Sequence, residues 1–209
     1  MYPHDVFRHG PRTKKRVAIT FDDGPDGEWT PQVLAVLSRY GVKATFFCVG
    51  MMVHAFPDVT RRLVAEGHVI GNHTWDHPQL PRLHPAQVQE ELYHTEQEIQ
   101  RVAGVRPRLF RPPYGELSRQ VMRQVIALRD KVILWSVDSL CWTGLDSEHI
   151  AAIVLAHLQP GAIVLMHSAG GVRKPTVEAL PRIIEVTHAS GYTFTTVSDL
   201  LGVPPYKSR

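Results

Sequence analysis

The chain has 209 residues, enough for one domain with a full hydrophobic core. Hydrophobic residues make up 44% and charged residues 21%, the balance of an ordinary soluble globular protein, and no apolar run approaches the roughly 20 residues of a membrane helix. The formal net charge of +3 weakly favours an anionic polymer as partner, but the basic residues are dispersed and no aromatic-and-basic motif for nucleic acid is present.

Residues 1–15 read as a polar, basic N-terminal arm, and residues 16–209 as a single domain. The arm lacks the apolar centre of a signal peptide, which fits a cytoplasmic protein or one whose export signal is missing from this sequence. Short apolar runs rich in β-branched residues then recur at 17–21, 44–49, 69–71, 109–110, 132–137, 163–166 and 192–197, and each predicts a buried strand. Helical spacing predicts helices over 30–40, 57–66, 85–103, 117–128, 147–158 and 176–189. Gly41, Gly67 and Gly104 end the first three, and Pro181 predicts a kink or a late start in the last. Cys48 and Cys141 each sit beside apolar residues, which predicts buried free thiols and no disulfide.

Strands alternating with helices predict an α/β fold, a distorted and incomplete (β/α) barrel of mainly parallel strands with outer helices. An open doubly wound sheet is the alternative, weakened by the lack of a Gly-rich phosphate loop after the first strand. In a barrel the chemistry sits at the C-terminal ends of the strands, and the chemically useful residues fall there.

The first strand runs into Asp22-Asp23-Gly24-Pro25. Two adjacent carboxylates reach one site only if the chain turns as it leaves the strand, and Gly24-Pro25 offers that turn. A bound cation would relieve their repulsion by taking one as a ligand and leaving the other as a base; a solvated turn would explain the same residues. The third strand leads to His73 and His77, a spacing that places two imidazoles on one face of a helical turn, though such pairs also arise by chance. One aspartate and two histidines would leave open positions on a metal. The fourth strand ends in Arg111-Pro112-Pro113-Tyr114. Arg111 could fix a carboxylate, and the stiffened loop could present the Tyr114 N–H to an oxyanion, or be a rigid turn only. The fifth leads through Asp138 to Cys141-Trp142 and the sixth through Leu165 to His167, residues that could line a rim or belong to the core.

In this combination and order the chain resembles the polysaccharide deacetylases of the NodB-homology group, carbohydrate esterase family 4, from about residue 16 to residue 201. Thr20 to Pro25, His73 to His77, Arg111 to Tyr114 and Leu165 to His167 match four of the family's motifs. The resemblance implies a metal-dependent deacetylase that hydrolyses the N-acetyl group of N-acetylglucosamine-type residues in peptidoglycan or a chitin-like polysaccharide. It implies Asp23, His73 and His77 as ligands of a divalent metal, zinc first, with cobalt and nickel as alternatives. Asp22 would be the general base, oriented by Arg111. The Tyr114 N–H would stabilise the oxyanion and His167 would be the general acid. Trp142, Leu165 and Pro113 would contact substrate. A cell-envelope or extracellular setting and a monomer are the family expectation.

The fourth motif departs. Cys141 stands where the family has the aspartate that partners the acid histidine. Its loss should weaken His167 at neutral pH unless another acid compensates, with Asp138 and Asp199 the candidates. The rival readings are an acetylxylan esterase, a small-molecule C–N hydrolase on the same site, and a catalytically weak carbohydrate-binding barrel. A redox-sensitive Cys141 is a further option.

Overall fold

The structure, a computed structural model, describes residues 5–208. Residues 1–4 of the expected arm, and Arg209, lie outside the described residues. The strands are β1 (Val6–Phe7), β2 (Arg16–Asp22), β3 (Thr45–Cys48), β4 (Val69–Asn72), β5 (Leu109–Phe110), β6 (Lys131–Ile133), β7 (Val137–Asp138), β8 (Ile163–His167) and β9 (Thr193–Phe194). The helices are α1 (Trp29–Arg39), α2 (Gly50–Ala55), α3 (Pro57–Ala65), α4 (Pro85–Ala103), α5 (Arg119–Ala127), α6 (Ser147–Ala156), α7 (Lys174–Ala189) and α8 (Val197–Leu201). Eight strands lie side by side in the order β1-β6-β5-β4-β3-β2-β8-β7, and β9 pairs with the start of β2. Every strand pair is parallel. The sheet curls into a half-barrel with helices outside, so the barrel expectation holds over the open sheet.

Alternation along the strands sorts the side chains into two layers. Val17, Ile19 and Phe21 of β2 pack outward with α1, α6 and α7, alongside Phe46 and Cys48 of β3 and Val164 and Met166 of β8. Ala18, Phe47, Leu109, Ile133 and Ile163 face the lumen, where Val197 and Leu200 of α8 close over them. A third cluster joins α4 and α5 to Phe110, Val132 and Leu134. The even-numbered residues of β2 therefore run Ala18, Thr20, Asp22 up the inside of the barrel, and the last of them arrives at its C-terminal mouth.

Several elements differ from the sequence expectation. Residues 6–7, inside the expected arm, form β1 and pair with β6, and Gly10 N–H donates to Gly161 O at 2.8 Å. The run 192–197 is only β9 and then the start of α8, where the Thr196 hydroxyl accepts from Asp199 N–H. Helix α7 begins at Lys174, ahead of the expected start, and runs with Pro181 inside it, so it does not start late.

The run 132–137 is not one strand. β6 pairs with β5 and β1, and after a break at 134–136 β7 pairs with β8 at the other end of the sheet. Leu134 N–H still donates to Phe7 O at 2.8 Å, whereas Ser136 N–H donates to Ile163 O at 3.0 Å. This one segment thus crosses the seam where the barrel would close. The Ile133 and Leu134 carbonyls at the seam accept from the Arg111 guanidinium, at 3.0 and 3.2 Å. A buried carbonyl must find a donor somewhere, and here a side chain supplies it.

Candidate active site

Arg111, the residue after β5, is fully buried. Its guanidinium lies 4.1 Å from the Phe47 ring centroid. Besides the two seam carbonyls it donates to Thr20 Oγ1 at 2.8 Å and to Asp22 Oδ1 at 2.7 Å. The planar fork of arginine suits four fixed acceptors as a lysine ammonium would not. Burial pulls the Arg111 pKa below its ordinary value, and the charge of Asp22 opposes that pull. Asp22 is itself 3% exposed, and its second oxygen sits 3.8 Å from His73 Nε2. One carboxylate is therefore clamped on one side and unshared on the other.

Asp23 adopts φ 70°, in the left-handed region. Aspartate tolerates this conformation better than most residues, and it swings the second carboxylate round to the same side as the first. The turn thus begins at Asp23 itself, one residue before the expected Gly24. Gly170, in the loop after β8, allows the close approach: a Cβ there would stand 2.7 Å from Asp23 Oδ2.

Asp23 Oδ1 lies 3.5 Å from His73 Nε2 and 3.5 Å from His77 Nε2. Among the described residues these three side chains form the one group suited to hold a metal ion, with their ligand atoms within 4.8 Å of one another. Two ligand atoms about 2.1 Å from a tetrahedral cation lie about 3.4 Å apart. The observed separations match that edge and are too long for direct hydrogen bonds. Asp23 Oδ1 is also buried without a hydrogen-bond partner, a costly state that a cation would relieve. Burial raises the Asp23 pKa, but His73, His167 and His77 outweigh it and hold the carboxyl at about 2. His73 Nδ1 lies 2.7 Å from the Arg111 carbonyl, which can only accept, so Nδ1 carries the proton and Nε2 presents its lone pair. The donor set and spacing fit a divalent metal.

The His73–His77 segment is not the expected helical turn. It is a loop leaving β4, with Thr74 at φ 69° and His77 at φ 64°. Asn72 Oδ1 accepts from Thr74 N–H at 2.9 Å while its Nδ2 donates to Leu92 O on α4 at 2.8 Å. Glu91 of α4 accepts from the N–H groups of Trp75 and Asp76, at 2.8 and 3.3 Å. Gly50 N–H, at the start of α2, donates to Thr74 O at 2.9 Å. A Cβ at Gly50 would stand 2.4 Å from the Trp75 ring, so only glycine lets α2 dock so close. Asn72, Glu91 and Gly50 escaped the sequence reading, because nothing in their spacing marks a polar residue as support for a loop.

The carboxylates and histidines open into a cleft of about 490 Å³, also lined by Pro112, Tyr114, Gly115, Trp135, Asp138, Trp142, Leu165 and His167. Of the expected residues only Arg111 and Pro113 stay out of its wall. Arg111 lies beneath Asp22, and Pro113 is buried, with Pro112 on the wall instead. Tyr114 adopts φ 60°, and its ring meets His77 with centroids 4.7 Å apart. Trp142, 56% exposed, stands at the rim. Of the six non-glycine residues with positive φ among the described residues, Asp23, Thr74, His77 and Tyr114 belong to this site and Leu140 precedes Cys141. Backbone strain gathers where the surroundings fix a functional geometry.

His167 ends β8, level with Asp22 across the ladder. Its Nδ1 lies 3.3 Å from Cys141 Sγ. Neither aspartate expected to compensate does so. Asp138 accepts from Leu140 N–H at 2.9 Å, and Asp199 accepts from the Thr196 hydroxyl at 2.8 Å on α8. Cys48 and Cys141 are both buried free thiols, as their surroundings in the sequence predict.

The model of the polysaccharide deacetylase family matches residues 9–130. A peptidoglycan N-acetylglucosamine deacetylase of Bacillus cereus is 39% identical over 192 residues, covering 91% of this chain and 70% of that protein. One from Listeria monocytogenes is 38% identical over 191 residues, covering 91% of this chain but 40% of that longer protein. Among solved structures, a peptidoglycan N-acetylglucosamine deacetylase in complex with 4-naphthalen-1-yl-N-oxidanyl-benzamide superposes with a TM-score of 0.96 at 36% identity, covering 98% of this chain and 96% of that one. A shared half-barrel, a sequence match along most of its length and an Asp-His-His cluster at the mouth lead to one assignment: the chain belongs to the polysaccharide deacetylase family, carbohydrate esterase family 4.

Proposed function

We propose that this chain hydrolyses the N-acetyl group of N-acetylglucosamine-type residues in peptidoglycan or a chitin-like polymer, releasing acetate. The observation that carries the proposal is Asp23 Oδ1, buried and unpartnered, equidistant from two imidazole nitrogens and next to a carboxylate that Arg111 holds in place. Asp23, His73 and His77 would hold a divalent metal, zinc by the family's preference, with cobalt or nickel as substitutes. Such a cation supplies Lewis acidity and a water of lowered pKa.

Asp22 serves as general base. Its free oxygen faces the cluster and takes the proton of the attacking water. Arg111 keeps Asp22 in one rotamer throughout. The Tyr114 N–H donates to the tetrahedral oxyanion. His167, across the cleft, protonates the departing sugar nitrogen, without which an amine leaves poorly. Leu165 and Trp142 shape the acetyl pocket, and Pro112 takes the place first given to Pro113. A polymer substrate suits a cleft open to the rim. No described helix is long and apolar enough to cross a membrane; action on a wall polymer would take the enzyme to the cell envelope or outside it, and a monomer is the family expectation.

The test is acetate release from chitooligosaccharides, peptidoglycan and acetylxylan, with protein stripped by a chelator and then restored with zinc. Release from the first two, lost on stripping and regained with zinc, supports the proposal. Release from acetylxylan alone would replace amide with ester hydrolysis, and release that ignores the chelator would remove the metal from the mechanism.

A further inference from the structure

The proposed acid, His167, rests on a residue type that the family pattern does not supply. Cys141 Sγ stands 3.3 Å from His167 Nδ1, and no carboxylate forms an ion pair with His167 among the described residues. The thiol is held on this line by its neighbours. Leu140, at φ 55°, turns the chain so that Cys141 opens a 3₁₀ turn spanning Cys141–Thr143. The Leu140 N–H is tied to Asp138 Oδ1 at 2.9 Å, and the Cys141 N–H to Ser139 Oγ at 3.4 Å. Arg173, 7% exposed, joins the two halves of the pair. It donates to the Cys141 carbonyl at 3.5 Å and to the Ala169 and Gly170 carbonyls, just after His167, at 2.6 and 2.9 Å. Cys141 itself is 5% exposed, so water does not compete for the contact.

We propose that Cys141 is the positioning residue of His167, its sulfur doing what a carboxylate does elsewhere in the family: it fixes the imidazole through Nδ1 and leaves Nε2 for the substrate nitrogen. The inference rests on His167 being the acid. A thiol and an imidazole share one proton between S–H···N and S⁻···H–N⁺. In the second arrangement Nδ1 donates to the thiolate and a proton on Nε2 is available for transfer. Burial opposes both charges, but each partner's charge favours the other's. The Asp22 carboxylate from β2 further favours imidazolium, so His167 lies above its ordinary pKa and Cys141 below. The other ionisable groups facing the same cleft are Asp138 of β7, held by the turn, Tyr114, and the proposed metal ligands Asp23, His73 and His77. The Arg173 guanidinium, from the residue before α7, is engaged with carbonyls.

The experiment follows the His167 ring nitrogens by NMR across pH in the zinc-loaded full chain, for the parent, Cys141→Ser, Cys141→Ala and Cys141→Asp. The Ser and Ala variants should titrate His167 lower by about half a unit or more. The basic limb of the kcat profile should move with it, kcat falling about tenfold while KM stays within about threefold. Cys141→Asp should return both the titration and the rate. A His167 titration unmoved in Ser and Ala overturns the pairing, whatever the rate does, since a packing defect lowers activity without moving that value. If Cys141→Ala does not fold, the Ser variant, which exchanges one atom, decides alone. Undiminished acetate release by His167→Ala would instead overturn the acid assignment, separately from the NMR result.

Discussion

Asp22 and Arg111 form a buried ion pair, and such pairs are lopsided in energy: together they nearly balance their desolvation, while either one alone is expensive. Replacing Asp22 by Asn therefore acts twice. The proposed base is gone, so acetate release should fall by about 10²–10⁴. The Arg111 charge also loses its counter-ion, though Thr20 and two carbonyls still accept from it, so stability should drop by about 2 kcal/mol rather than the full cost of an orphaned charge. Zinc should still bind, since Asp23, His73 and His77 are untouched. Acetate assays, a denaturant titration and zinc calorimetry read the three effects, and near-parent turnover would remove Asp22 as base. At this scale the sequence was informative about Asp22, Asp23, His73 and His167, because each is a residue type suited to its proposed role and falls at or just past a strand end, whereas His77 reaches the cluster from the loop beyond β4. It was less informative about Arg111. An arginine beside a carboxylate is expected, but its bonds to Ile133 and Leu134 depend on where the barrel fails to close, which no local pattern encodes.

The two histidines proposed as ligands belong to a loop rather than a helix, so their placement depends on what grips that loop. Helix α4 does most of this, through Glu91 on two successive N–H groups and through the Leu92 carbonyl on Asn72. The periodicity of α4 was plain in the sequence, from Pro85 at its first turn to Gly104 at its end, and the observed helix has the predicted limits. Its polar contacts were not, since Glu91 looks like any solvated residue until the loop is laid across it. The same limit explains β6 and β7. The apolar run 132–137 predicts one strand, but neighbours on opposite ends of the sheet divide it. Glu91→Ala should leave α4 helical, because alanine is the better helix former, yet it frees the ligand loop. We expect zinc affinity to fall about 10–100-fold, the range seen when groups that orient metal ligands are removed, with turnover largely recovered at saturating zinc. Calorimetry and zinc-dependent acetate assays measure both. An unchanged affinity would mean that Asn72 and α2 suffice to hold the loop.

Across the whole molecule the chain reads as one half-barrel with its chemistry at one mouth, and its C-terminal end is fastened at the opposite end of the strands. Lys207 pairs there with Glu96 of α4 and lies 2.7 Å from Asp130, just ahead of β6, and Arg106 holds the same glutamate at 2.7 Å. None of this was visible in the sequence, where these residues lie far apart and look like ordinary surface charges. Asp130 is 3% exposed. Burial, opposed by Lys207 and reinforced by Glu96, pushes its pKa up to about 7 from an ordinary 3.8. Between those two values the folded chain keeps a proton that the unfolded chain has released. The resulting stabilisation is therefore full below about pH 4 and is lost as pH rises through about 7. An asparagine side chain at this position would mimic the protonated state at every pH, and Glu96 would still neutralise Lys207. The Asp130→Asn variant should match the parent near pH 4 and exceed it near pH 8 by on the order of 2 kcal/mol, giving a flatter stability curve between. Denaturant unfolding at a series of pH values, in zinc-free buffer so that metal uptake adds no slope of its own, compares the two directly. Parallel curves would mean that Lys207 keeps Asp130 ionised and that its proton plays no part in the stability of the barrel.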